Sequence, residues 1–238
     1  MKCYYDLHIH SCLSPCGDND MTPYNLVGMS KIKGLDIIAL TDHNTAKNCP
    51  AAIKVGNELG ITVVPGMEIC TAEEIHMVCL FNNLDAALQF DEKVHTLIPP
   101  IKNKSAIFGQ QLIMDHEDNI KCEEEYLLIN AAQISLIEAV KLVREYNGAC
   151  FPAHIDKSSF SVLSQLGEIP SECEFTTAEI YDTSKTDGLL NQHAVLNSMR
   201  LIHNSDAHYL ENIKEPCEYF ELDECTPQAL INFLNGKK

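Results

Sequence analysis

The chain has 238 residues, 45% of them hydrophobic, which is enough for a sizeable α/β core. Its 34 acidic residues against 17 Lys and Arg give a formal net charge of −17, which argues against an extended nucleic-acid partner, since such surfaces carry a stripe of cations. No apolar run approaches the roughly 20 residues of a membrane span, and the start lacks the apolar core of a secretory signal, so a cytoplasmic protein is expected.

Cys3 to His8 reads as a first strand. It carries Asp6-Leu7-His8-Ile9-His10, and residues two apart on a strand project to one side, so His8 and His10 can face a single ion. Thr22-Pro23 opens a helix to about Lys33, with Thr as N-cap, Pro in the first turn and Gly34 as terminator. Leu35 to Leu40 is a near-continuous apolar strand of the buried parallel type, leading into Thr41-Asp42-His43. A helix from Pro50 to Gly60 precedes the strand Ile61–Val64, which runs into Pro65-Gly66-Met67-Glu68. Ile75 to Phe81 is a further strand, with Glu74-Ile75-His76 at its start. Leu84 to about Leu97 has helical spacing.

Between about residues 99 and 134 the alternation breaks. Pro99-Pro100 interrupts it, and Gln111–Met114 and Tyr126–Ile129 read as hairpin strands around Asp118-Asn119. This excursion is positioned to cover part of the active face. Ser135 to Tyr146 is an amphipathic helix with a Ser135/Glu138 capping box. Strands follow at Ala149–Ala153, ending in Pro152-Ala153-His154, at Ala178–Tyr181 and at Leu201–His203. The last of these leads into Asn204-Ser205-Asp206-Ala207-His208. Gly188–Ser198 and Pro227–Leu234 read as helices.

Six stretches therefore set a histidine or carboxylate at matching places relative to strands. A barrel gathers its strand ends at one face, where ligands distant in sequence meet. His95, His116, His193 and His203 lack that placement. The eleven cysteines are dispersed and odd in number, and read as reduced packing residues.

The ordered set His8-x-His10, Thr41-Asp42-His43, Gly66-Met67-Glu68, His76, His154 and Asp206-x-His208 resembles the PHP (polymerase and histidinol phosphatase) family of metal-dependent phosphoesterases. The resemblance covers nearly the whole chain. It implies one domain over residues 1–238, a distorted TIM-like (β/α)7 barrel with two or three divalent ions at the C-terminal ends of the strands. Carried over by motif, His8, His10, Glu68 and Asp206 would bind one metal, His43 and His208 a second, and Glu68 would bridge to a third held with His76 and His154. Glu68 and Asp206 would hold the metal-bridging hydroxide. Family members commonly place an Asp shortly after the H-x-H pair. Here Ser14-Pro15-Cys16-Gly17-Asp18-Asn19-Asp20 stands there, with Asp18 the first choice and Cys16 or Asp20 as alternatives.

Imidazole and carboxylate donors suit Zn, Mn or Fe. The implied reaction is hydrolysis of a small phosphorylated substrate (a nucleotide, sugar phosphate or amino-alcohol phosphate), with Lys157 as a phosphate clamp. Asp42 would orient His43 or a neighbouring ligand, and Asp156 would be a supporting or a loop residue. A C–N-cleaving amidohydrolase also uses H-x-H, but it adds a carboxylated lysine at a strand end where this chain has none. A non-catalytic metal-binding module is the third reading, opposed by the full ligand set.

Overall fold

The computed structural model describes residues 1–236. β1 (Lys2–Ile9), β2 (Ile37–Leu40) and β3 (Thr62–Cys70) run parallel, with Tyr5 beside Ile37 and Ile37 beside Thr62. Helices α1 (Pro23–Lys33) and α2 (Cys49–Leu59) form the crossovers. β4 (His76–Leu80) returns antiparallel to β3. After α3 (Leu84–His95), α4 (Ser105–Phe108), the hairpin β5 (Leu112–Met114) and β6 (Ile120–Glu123), and α5 (Leu136–Glu145), the strand β7 (Ala149–Pro152) pairs antiparallel with β4. α6 (Val162–Leu166), β8 (Thr177–Glu179), α7 (Thr186–Gln192), β9 (Arg200–Ile202), β10 (Tyr219–Glu221) and α8 (Pro227–Leu234) complete the order.

The main sheet reads β10-β1-β2-β3-β4-β7, and β8 and β9 form a second, parallel pair. The pair bridges the ends of the first sheet. Ile155 N–H donates to Glu179 O at 2.9 Å, and His10 N–H donates to Ala207 O at 2.9 Å. The result is a curled α/β sheet with the larger helices outside.

Local chemistry explains most element ends. Thr22 Oγ1 accepts from Asn25 N–H, Gly34 stops α1 in the left-handed region at φ 90°, and the Ser135/Glu138 capping box starts α5. The structure departs from expectation at four places. β3 does not stop before Pro65 but runs on through Glu68 to Cys70. A Cβ at Gly66 would stand 2.5 Å from Cys79 O, so only glycine lets β4 pair this closely. In the excursion the return strand begins at Ile120 rather than Tyr126. Asp115 accepts from both Glu117 N–H and Asn119 N–H, and Asp118 adopts φ 60°, which closes the turn early. Residues 186–198 divide into α7 and a 3-10 turn, Ala194–Ser198. Cys3 and Cys225 are bonded to each other, Cα atoms 6.0 Å apart, and nine cysteines remain as thiols, so the expectation of eleven reduced cysteines does not hold.

Two apolar clusters divide the sheet. One joins its outer side to helices through Leu26, Val55, Phe90 and Val143. The other fills the curl, with Leu7, Ile37, Val64, Val78, Phe151 and Ile202 above a floor of Phe220, Leu230 and Leu234. Along β1, Cys3, Tyr5 and Leu7 face the curl, yet Ile9 belongs to the outer cluster. The reversal coincides with a register shift between Asp6 and Ile9. That bulge turns His8 and His10 inward, above the apolar fill.

Candidate metal centre

Eight candidate ligands meet at the rim of the curl. Strand direction explains how. His10, His43, His154, Asp206 and His208 all follow the C-terminal ends of β1, β2, β7 or β9, while His76 begins β4, which runs the other way and so starts at the same rim. Glu68 stands within β3, its N–H donating to Asp42 O at 3.1 Å and its carbonyl accepting from Asn44 N–H at 2.9 Å.

The Glu68 carboxylate is the hub. Oε1 lies 3.2 Å from His8 Nε2, 3.0 Å from His76 Nδ1 and 3.3 Å from His154 Nε2. Oε2 lies 3.0 Å from His43 Nδ1 and 3.6 Å from His10 Nε2. Asp206 Oδ1 completes the ring, 3.5 Å from His8 Nε2 and 3.3 Å from His10 Nε2. Both Glu68 oxygens, with His43 Nδ1 and His154 Nδ1, are buried without a hydrogen bond of acceptable geometry. Buried polar atoms left in this state are costly, and the Glu68 oxygens and His43 Nδ1 converge with the neighbouring ring nitrogens, the arrangement a cation resolves. Three overlapping triads have ligand atoms within 4.8 Å of one another: His10/His43/His208, His8/His10/Glu68 and His43/Glu68/His76. The donors present therefore fit divalent metal ions.

The electrostatics agree. Burial alone would lift the Glu68 carboxyl, but His76, His8 and their neighbours hold it well below the ordinary range. Asp206 is likewise held down against burial by His8 and His10. His10 is pushed well below its usual value by burial and by His208 and His43, and is thus the neutral form a metal requires. Burial would lower His8 too, but Glu179, Glu68 and Asp206 outweigh it.

Behind the ligands stands an ordered outer layer. Glu179 receives His8 Nδ1 at 3.0 Å, His154 N–H at 2.9 Å and Asn204 Nδ2 at 2.7 Å. With Nδ1 engaged, His8 presents Nε2 to the centre. His10 Nδ1 lies 3.0 Å from Ser14 Oγ, which accepts His43 N–H at 3.1 Å and donates to Asp42 at 2.7 Å. Asp42 thus braces His10 and the backbone of His43 through Ser14. His208 Nδ1 is 2.9 Å from Asp206 O. His154 and Asp206 adopt φ of 30° and 50°, strained values held by this surrounding structure.

The remaining expected residues fall as follows. Lys157 Nζ lies 2.5 Å from Asp206 Oδ2 and 4.3 Å over the Tyr181 ring. Asp156 accepts from Tyr181 N–H and Asp182 N–H, bracing a loop. Asp18 Oδ1 accepts from Asp20 N–H at 2.8 Å, and Asp20 is exposed. Burial would raise the Cys16 thiol, but His43 and His208 beside it bring it down to about 6. His203 pairs with Glu218, and His95 lies 5.7 Å from the Tyr126 ring at a tilt of 42°. Glu179, Asn204 and Ser14 escape sequence reading; the one signal for Glu179 is a lone carboxylate within an apolar strand.

A family model, the PHP domain, matches residues 6–232. The chain belongs to the PHP domain family. Over 88 residues it is 38% identical to a protein of Methanocaldococcus jannaschii, a match covering 34% of this chain and 51% of that relative. Over 79 residues it is 38% identical to a 5′-3′ exoribonuclease of Haemophilus influenzae, covering 32% of this chain and 28% of the relative. The matches thus span about half of one curated relative and under a third of the other. Among solved structures, the lesion-specific endonuclease Q of Pyrococcus furiosus superposes with a TM-score of 0.71 over 99% of this chain and 56% of that one, at 18% identity. That likeness is one of fold. Endonuclease Q has also been solved with a 27-mer duplex carrying an abasic lesion at the active site.

These proteins correct one expectation. A net charge of −17 does not exclude extended nucleic acid from a PHP protein's partners. The formal sum counts carboxylates such as Glu68 and Asp206, which lie among buried imidazoles, as free negative charge. Recognition of a phosphate depends on the local field at the metal centre, not on the total. No helix among the described residues is long and apolar enough to cross a membrane.

Proposed function

We propose that the chain is a metal-dependent hydrolase of phosphate esters, acting on a phosphodiester of nucleic acid. The observation that carries the metal centre is Glu68, one buried carboxylate shared among five imidazoles without a satisfied hydrogen bond. In this reading the linked sheets act as a distorted seven-stranded barrel in one domain. His8, His10, Glu68 and Asp206 hold one ion, His43 and His208 a second, and Glu68 with His76 and His154 a third.

Bound divalent ions of this class supply a nucleophile from water near neutral pH and neutralise phosphate oxygens. The chain's own groups do the positioning. Glu179 and Ser14 fix the histidine rings, so the ligand atoms need no rearrangement. Lys157 stands beside Asp206 at the rim, where its ammonium meets a non-bridging phosphate oxygen. Phe160 stacks on His76 at 4.7 Å with 41% of its surface exposed, and Tyr181, also exposed, lies under Lys157. Exposed rings beside a phosphate-binding centre favour a substrate with bases to stack on them. Phe160 also holds φ 55°, a value seldom adopted by a residue of its bulk.

The test is hydrolysis of end-labelled single-stranded and duplex oligonucleotides, alongside a simple aryl phosphate, by metal-loaded protein. Cleavage of an oligonucleotide, abolished by chelator and restored by added metal, is the expected result. Metal binding with release from the aryl monoester alone would overturn the nucleic-acid reading. Binding of fewer than one equivalent would overturn the metal centre.

A further inference from the structure

Asn48 stands at the N-cap of α2, a position where asparagine ordinarily caps, yet its side chain makes no capping hydrogen bond there. The amide is engaged elsewhere. Nδ2 donates to Ser11 Oγ at 2.9 Å and to Leu112 O at 3.0 Å, and Oδ1 accepts Met114 N–H at 2.9 Å. Two of these bonds grip β5 of the excursion, and the third reaches the loop after β1. The rest of the excursion is held separately. Asn44 Nδ2 donates to Leu128 O at 2.7 Å and to Asn130 O at 2.9 Å, and Gln111 Nε2 donates to Tyr126 O at 2.8 Å.

Ser11 passes the contact inward. Its Oγ donates to Asp42 Oδ2 at 2.7 Å, and Ser11 N–H and Ser14 Oγ each donate to Asp42 Oδ1 at 2.7 Å. A hydroxyl has one hydrogen. With that hydrogen on Asp42, Ser11 accepts from Asn48, and Ser14 accepts from His43 N–H at 3.1 Å and from His10 Nδ1 at 3.0 Å. His10 Nε2 is then the nitrogen left to face Glu68 and Asp206. Asn48, Ser11, Asp42, Ser14 and His10 are each at most 1% exposed, so no bulk water replaces a missing member. We propose that Asn48 is a positioning residue of the metal centre: it fixes Ser11 from the excursion side, so that Asp42 and Ser14 aim His10 and His43. β5 thereby belongs to the support of the centre. The inference rests on the metal-centre reading above.

The experiment measures zinc affinity of the metal-stripped full chain by competition with a chelating dye, and melting temperature with and without zinc. The proteins are wild type, Asn48→Ala, Ser11→Ala, the double variant and Val143→Ala. Val143 is buried on α5 in the outer cluster, and its truncation controls for lost stability alone. Asn48→Ala should weaken zinc about 10–100-fold, the scale of losing a group that orients a metal ligand. The zinc-induced rise in melting temperature should shrink with it. The double variant should bind as Ser11→Ala does, because Asn48 acts through Ser11. Val143→Ala should melt lower in both states and keep wild-type affinity. A second readout needs no variant: amide hydrogen exchange at residues 112–114 should slow when zinc binds, the reciprocal of the same coupling. Unchanged affinity in Asn48→Ala, losses that add in full in the double variant, an equal loss in Val143→Ala, or exchange at 112–114 indifferent to zinc would overturn the assignment and leave the metal centre standing. Wild type that binds fewer than one equivalent would remove the metal centre and this role together.

Discussion

His8 Nδ1 and Glu179 Oε2 lie 3.0 Å apart across 171 residues of sequence, and both side chains are essentially sealed from solvent. The carboxylate takes the ring nitrogen that faces away from the centre, fixing which nitrogen remains for a ligand. Glu179→Gln keeps the shape and removes the charge. Metal affinity or turnover is expected to fall about 10–100-fold with little change in secondary structure. Competition with a fluorescent zinc chelator measures it, and an unchanged affinity would strip Glu179 of this role.

A harsher outcome is expected for the hub itself. Glu68→Gln leaves the buried imidazoles without their shared anion and removes the bridging donor. Hydrolysis should fall by at least about 10²–10³-fold, the scale of deleting one group that stabilises developing charge, and bound metal should drop with it. Circular dichroism should stay close to wild type, because the apolar fill below the site is untouched. Retention of full metal content on elemental analysis would contradict the bridging role.

Gly66 links packing to chemistry two residues from that hub. An added Cβ meets Cys79 O at 2.5 Å and Leu80 Cδ2 at 2.7 Å, so Gly66→Ala must push β3 and β4 apart. Overpacking of this kind costs about 1–3 kcal/mol, read as a shifted midpoint in urea. Because Glu68 and His76 sit on the two strands being separated, metal content should fall as well. Stability lost without loss of metal would show that the strand pair yields elsewhere.

Away from the centre, Glu218 receives Tyr5 Oη at 2.7 Å and His203 Nδ1 at 2.7 Å. Burial would raise its carboxyl, but those hydrogen bonds bring it down to about 2 from an ordinary 4.5. A carboxyl with a depressed folded-state value stabilises above its unfolded value, and that contribution drains away as pH falls from about 4.5 toward 2. Wild-type melting temperature should therefore exceed that of Glu218→Gln at pH 6, with the gap narrowing below about pH 4.5 and closing toward pH 2. The side chain is 37% exposed, so solvent screening keeps the gap small. Parallel curves across the range would rule out this linkage.

The site was more legible in sequence than the fold. H-x-H and D-x-H spacings survive in a single sequence because the two-residue period of a strand is local, and each candidate ligand they mark meets Glu68 or Asp206 in the structure. The direction of β4 was not legible, since nothing in His76–Leu80 records which way a strand runs, yet that direction is what brings His76 to the rim. Pro65 reads as a strand end but lies inside β3. β10 is three residues long with alternate positions exposed, too short for any period to register. Glu179 owes its importance to His8, His154 and Asn204, of which His8 lies 171 residues away, information that spacing does not carry.

The bulge between Asp6 and Ile9 divides β1 into two regions answerable to different demands. Below it, substitutions at Cys3, Tyr5 and Leu7 bear on how the curl is filled; above it, His8 and His10 face the carboxylates of Glu68 and Asp206. Continuing the alternation of Cys3, Tyr5 and Leu7 unbroken through this segment would leave the composition untouched, yet turn both imidazoles out toward the helices. A single backbone irregularity thus acts as the switch that decides whether this strand is scaffold or reagent, and a designer transplanting the site to another sheet would have to carry the irregularity along with the histidines.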